Sequence, residues 1–146
     1  MQHNLRDPNR DRLHGRVYRV TYPSRPLLTP PKIAGEPLEH LLNLLKDKHD
    51  RVRYRAKIEL SARDSGEVIA ATKKWIAGLD KGDTDYEHHM MEALWVHQHH
   101  NVVDQELLER MLQSPEPLAR TAATRVLCHW RDSVPNTLGL LNGLAA

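Results

Sequence analysis

From position 38 onward, apolar residues recur every three or four positions in short runs separated by turn-forming residues, the spacing of amphipathic helices buried along one side. Leu38, Leu41, Leu42, Leu44 and Leu45 share a wide face opposite Glu39, His40, Asn43 and Lys46, which predicts a first helix over 38–46, with Pro37 in its first turn. Asp50 is a candidate N-cap for a second helix over 51–63. That helix carries two stripes: Val52, Ala56 and Leu60, and, further round, Tyr54, Ile58 and Ala62. Two stripes predict contact on two sides. Ser65 is a candidate cap for a third helix over 66–77, burying Val68, Ile69, Thr72, Trp75 and Ile76, before a polar loop over 78–84. A fourth helix over 85–98 has Tyr86, Met90, Ala93, Leu94 and His97 along one stripe. A fifth spans 104–113 and stops at Ser114-Pro115. A sixth over 118–130 carries Leu118, Ala119, Ala122, Ala123, Val126, Leu127 and Trp130 on one half, and a weaker seventh follows Pro135, over 138–145.

One signature occurs twice: Val52-Arg53 with Ala56 and Leu60, and Ala119-Arg120 with Ala123 and Leu127. Each copy opens a helix after a turn and follows a leucine-rich helix, as in HEAT-like helical hairpin repeats. With Ala93 as the equivalent of Ala56 and Ala123, the spacings are 37 and 30 residues, irregular for a repeat, and Met90 stands where the other copies have arginine. The expected fold is all-α: a short α-solenoid of about three HEAT-like hairpins over 36–146, incomplete at its C-terminal end.

The first 35 residues read differently. Arg16 to Tyr22 alternates strictly, with Tyr18, Val20 and Tyr22 on one face, which predicts one isolated β-strand. No second strand follows to pair with it. Five of the nine prolines, at 23, 26, 30, 31 and 37, then enforce an extended connector. Residues 1–35 are therefore expected to be an extended arm and linker. Charge sharpens this division, because the arm holds seven Arg/Lys against two Asp while the remainder holds fourteen against seventeen acidic residues. A basic arm fits an anionic partner or an acidic neighbour within the same protein.

Composition adds constraints. Phe is absent and aromatics make up only 5%, so Leu, Ala, Val and Met must fill the interior, as closely packed helices allow. A single cysteine excludes an internal disulfide, an all-cysteine zinc site and a CxxCH haem attachment. No apolar run approaches the roughly 18 residues of a membrane span. Met1-Gln-His-Asn opens no signal peptide, so any export signal is expected on sequence outside this chain.

Histidines crowd positions 88–100, and His88, Glu92 and His99 fall in a narrow helical arc, which would suit a transition metal. His99 lies about three turns from His88, too far to close a coordination shell from one helix, so a solvated polar face is favoured. His97 differs: on the apolar stripe, it reads as a hydrogen-bonded core histidine. Cys128 points away from the apolar half of its helix, and His129 beside it diverges by about 100°, so a nucleophile–base pair is disfavoured against a structural thiol. No phosphate loop, GxSxG, HExxH or EF-hand motif occurs. Arg51, Arg53, Arg55, Lys57 and Arg120 are candidate interaction residues, with Arg53 and Arg120 expected to bond turn carboxylates such as Asp50 and Glu116. Helix 85–98 does not continue the basic run, which weighs against a DNA-tracking solenoid.

The strings His14-Gly-Arg-Val-Tyr-Arg-Val-Thr-Tyr-Pro-Ser-Arg-Pro26, Asp50-Arg-Val-Arg-Tyr-Arg-Ala56, Glu59-Leu-Ser-Ala-Arg-Asp64, Glu92-Ala-Leu-Trp-Val-His-Gln-His-His100 and Ala122-Ala-Thr-Arg-Val-Leu-Cys-His-Trp-Arg131 resemble the multidomain dehydrogenase-like proteins of planctomycete-type bacteria. In that family a sugar-dehydrogenase-like β-propeller is joined to HEAT-like repeats and commonly to a c-type haem domain. The resemblance implies that residues 16–22 correspond to a closing propeller strand and that the parent protein is exported or periplasmic. It also implies that dehydrogenase and haem chemistry reside in parts this chain lacks, making it a fragment of a larger redox protein. No catalytic or haem-ligating residue carries over. The expected function is a non-enzymatic scaffold or protein-interaction module without cofactor, serving a protein partner or neighbouring domains. A metal-binding or electron-transfer accessory built on His88 to His100 is the alternative, and a nucleic-acid-binding solenoid is less favoured.

Overall fold

The computed structural model describes Leu13, Gly15 and residues 18–145. Seven helices account for all the regular structure among them: α1 (Leu38–Leu44), α2 (Asp50–Ser61), α3 (Ser65–Ala77), α4 (Tyr86–His99), α5 (Gln105–Leu112), α6 (Pro117–His129) and α7 (Thr137–Ala145). No helix among the described residues is long and apolar enough to cross a membrane.

The chain divides into two compact units, Met1–Pro30 and Pro31–Ala146. In the first, the expected strand does not form among the described residues: Tyr18 to Tyr22 belong to no strand there and Tyr18, Val20 and Tyr22 are exposed, while Arg16 and Val17 lie outside the described residues. The physical reason is the one that made the strand an orphan, since a ladder needs a second row of donors and acceptors. A turn closes behind it, with Arg25 N–H donating to the Tyr22 carbonyl at 3.0 Å.

In the second unit, α1 packs on α2, α3 on α4 and α5 on α6, each pair joined by a short loop. The pairs also touch one another: α1 meets α3, α2 meets α4, and α4 meets both α5 and α6. Helix α4 is thus central, which explains why eight of its residues, from His89 to His97, are buried. Ala56, Ala93 and Ala123, the positions aligned by the sequence signature, are all 0% exposed in α2, α4 and α6. A methyl side chain at these points lets neighbouring helices approach closely. Leucines at 41, 42, 45, 60, 94, 108 and 127, with Met91 and Met111, fill the rest of a core that contains no phenylalanine.

The helix ends follow local chemistry. Asp64, rather than Ser65, caps α3 by accepting from the Glu67 N–H at 3.0 Å, and Asp104 caps α5 through the Leu107 N–H at 3.0 Å. Asp50 is the first helical residue of α2 and not its cap, a place taken by His49, which is itself held by Asp47. Replacing Asp64 by alanine strands an N–H at the start of α3 and is expected to cost about 1 kcal/mol. A urea midpoint unchanged by D64A would refute the cap.

Two apolar expectations fail. Tyr54 and Ile58 are 57% and 51% exposed and Ala62 is exposed as well, because α2 meets α4 through the other side of the helix. Leu118 is 78% exposed, since α6 turns Ala119, Ala123, Val126 and Leu127 inward and leaves its first turn at the edge.

Candidate functional site: a buried carboxylate between two cations

Glu92 is 1% exposed, the one Asp, Glu, Lys or Arg that is buried among the described residues. Burying a lone carboxylate is prohibitive, so the fold must supply opposite charge. It does so from α2, where Arg53 and Lys57 are one turn apart and face α4. Arg53 Nε donates to Glu92 Oε1 at 3.0 Å and Lys57 Nζ to Oε2 at 2.8 Å. Each carboxylate oxygen therefore has its own cation. Arg53 also reaches back through Nη1 to the Asp47 carbonyl at 2.6 Å, tying the turn before α2 to the same cluster. Lys57 lies 4.6 Å from the centre of the Trp95 ring, a cation–π contact that shields it.

His88, one turn before Glu92, brings Nε2 to 3.3 Å from Oε1, without the alignment of a hydrogen bond. Burial alone pushes the Glu92 carboxyl up, but His88 and Lys57 more than offset this and hold it below the ordinary glutamate value. The carboxylate stays charged and saturated. His88 and Glu92 are thus brought together as the sequence implied, whereas no hydrogen bond or ion pair joins His99 to either among the described residues. Nor does any group of three or more His, Cys, Asp or Glu side chains there stand close enough to share a metal ion. The oxygens a metal would need already hold Arg53 and Lys57.

The structure splits the basic run. Arg53 and Lys57 turn inward, with side chains 18% and 13% exposed, and only Arg51 and Arg55 remain on the surface with Tyr54 and Ile58. Arg120 is half-buried and donates through Nη1 to the carbonyls of Ser114 and Pro115, at 2.7 and 3.2 Å. The turn carboxylates expected as partners, Asp50 and Glu116, are not used by these arginines; Glu116 caps α6 instead. Backbone carbonyls win because a turn entering a helix leaves them unpaired within reach of a long guanidinium. Arg53 and Arg120 each bond the carbonyl six residues earlier, which is the same local device in two hairpins.

A second polar knot joins α4 to α5. Arg110 grips both oxygens of Glu87, Ser114 Oγ donates to the same carboxylate, and the guanidinium stands 5.5 Å from the Tyr86 ring centre. The Arg110 guanidinium holds the Glu87 carboxyl below its usual range against the opposing effect of burial. Cys128 and His129 are both exposed.

His97 is a core histidine, 0% exposed, with its Nδ1 donating to the Val102 carbonyl at 3.3 Å. Its Nε2 has no hydrogen-bond partner, and Asp104 lies 3.9 Å from it. Burial pushes His97 below the ordinary histidine value despite Asp104, and burial likewise lowers His89 despite Asp83. Both groups are neutral in the fold and protonate near 6.5 when unfolded. As pH falls through that value the unfolded chain gains protons the folded chain refuses, so stability is full above about pH 6.5 and declines below it, by up to about 1.4 kcal/mol per pH unit for each histidine. Urea midpoints between pH 7.5 and 5 should fall, with a shallower decline in H97N. A flat profile would show that neither ring is buried neutral.

Glu92 is the residue the sequence pattern misread. Helical spacing puts it with His88 and His99 on a polar face, yet it sits in Met90-Met-Glu-Ala-Leu-Trp-Val96, a run otherwise wholly apolar. A single acid inside such a run, with two cations one turn apart on the neighbouring paired helix, is the signal that identifies an internal ion pair. The protein is accordingly an all-helical one whose best-built polar site is an inter-helix clamp. The chain matches no protein-family model, no curated protein and no solved structure.

Proposed function

We propose that the chain is a non-enzymatic scaffold or protein-interaction module, built as a short α-solenoid of HEAT-like hairpins. The single observation that carries this reading is the recurrence of one local device: a fully buried alanine and an arginine bonded six residues back, in both α2 and α6, with α4 stacked between them. Repeated hairpins side by side leave extended surfaces and shallow grooves, which suit partner binding better than catalysis. The strongest charge cluster is consumed internally, since Glu92 is saturated by Arg53 and Lys57. The resemblance to planctomycete-type dehydrogenase-like proteins makes a multidomain redox protein the setting in which such a module would serve.

Site-specific photo-crosslinking of the full chain in cells tests this. A benzophenone amino acid at Tyr54 or Leu118, exposed on α2 and α6, is expected to capture discrete partners, whereas one at Glu39, Lys74 or Glu106 on α1, α3 and α5 is not. Thermal midpoints should not respond to zinc or copper. A metal-induced rise abolished by H88A, together with no positional pattern of crosslinks, would replace this reading with the metal-binding accessory.

A further inference from the structure

Between the start of α4 and the first turns of α6 lies an open groove of about 560 Å³. Its floor is apolar: Met91 and Trp95 from α4, with Ala119, Ala122 and the 78% exposed Leu118 from α6. Its rim carries Asp85, Glu87 and Glu116 with His88 beside them, and among the described residues no lysine or arginine lines it. Not all three carboxylates are available. Glu87 is neutralised by Arg110 and held by Ser114. Glu116 spends one oxygen on the Leu118 N–H, at 3.3 Å, and forms no ion pair among the described residues. Asp85 lines the groove and makes neither a side-chain cap bond nor an ion pair among the described residues. Two unneutralised acids thus stand over an exposed leucine and a half-buried tryptophan.

Such a surface selects its ligand by chemistry. Leu118 and Trp95 offer an apolar side chain a place out of water, and carboxylates beside it favour Lys or Arg on the same segment. Phosphate-bearing partners are repelled by the same rim, which argues against nucleic acid. We infer that the α4–α6 groove binds a basic segment of a partner protein, one that carries an apolar anchor flanked by Lys or Arg. This rests on the interaction-module reading and names where and what that module binds. Arg53 and Lys57 are held on the Glu92 carboxylate, with Lys57 against the Trp95 ring, so the carboxylates of Asp85 and Glu116 are left without these cations as partners.

The test uses the full chain and two short fluorescein-labelled peptides, one alternating arginine with leucine and one alternating glutamate with leucine, read by fluorescence anisotropy. The arginine peptide is expected to bind and the glutamate peptide not to, with affinity falling as salt rises. The double variant D85N/E116Q should weaken binding about tenfold, equivalent to about 1.4 kcal/mol. Leu118→Ser should weaken it similarly while leaving the thermal midpoint unchanged, because that side chain is exposed already. Equal binding of both peptides, no binding of either, or an affinity unaffected by both variants overturns the groove assignment. In those cases the module reading still stands if crosslinks appear at Tyr54, whereas a failure of the crosslinking pattern removes that reading first.

Discussion

Replacing Glu92 by alanine is expected to cost about 3 kcal/mol of folding free energy, because it removes one carboxylate and leaves two cations facing an apolar interface. Breaking a buried pair from one side typically costs about 3–5 kcal/mol, and the lower end applies here since Arg53 and Lys57 are 18% and 13% exposed and can reach water by partial rotation. For a domain whose whole stability is about 5–15 kcal/mol, that is a large share. Removing all three charges together should be far milder. In R53M/K57M/E92L, aliphatic side chains of similar length replace the clamp, and the desolvation cost of the ions disappears with them. Most of the lost stability should return, apart from the bond between Arg53 and the Asp47 carbonyl. Urea unfolding followed by circular dichroism gives both values. If E92A unfolds at the wild-type midpoint, the carboxylate is not buried between α2 and α4 at all.

The clamp also shows where sequence reading succeeds and where it stops. Helix positions were legible because periodicity, prolines and turn residues act locally: every helix lies within a residue or two of its expected span, down to α7 at Thr137–Ala145. The equivalence of Ala56, Ala93 and Ala123 was legible too, since a small residue in an apolar stripe marks a close approach. What could not be read was which side of each helix would meet a neighbour. Tyr54, Ile58 and Leu118 look as apolar as Leu60 and Leu127, but their burial depends on whether another helix lies against that side, and here none does. The same nonlocality hid the ion pairs. Arg53 and Glu92 are 39 residues apart, and only the packing of α2 on α4 makes them partners. His97 was the exception, because an apolar stripe in its own helix sufficed to place it.

Trp130 carries the second large expected effect. It follows the last residue of α6 at 2% exposure, heads the largest fully buried side chains, and its carbonyl anchors the following turn by accepting from the Ser133 and Val134 N–H groups at 2.8 and 3.0 Å. Truncation to alanine leaves those backbone bonds but opens a cavity the size of an indole, so W130A should cost about 3–5 kcal/mol. The phenylalanine variant separates two contributions. Its ring is smaller, which costs packing, but the indole Nε1 is buried with no hydrogen-bond partner, and an unpaired buried donor costs about 1–3 kcal/mol. Phenylalanine removes that donor, so the two effects oppose each other. W130F should therefore lie within about 1 kcal/mol of wild type, although the chain uses phenylalanine nowhere else. Urea midpoints at pH 7.5, where His89 and His97 do not titrate, give the comparison without interference. A W130F cost well above about 1 kcal/mol would mean that the indole N–H is bonded after all, and a negligible cost for W130A would place the end of α6 outside the core.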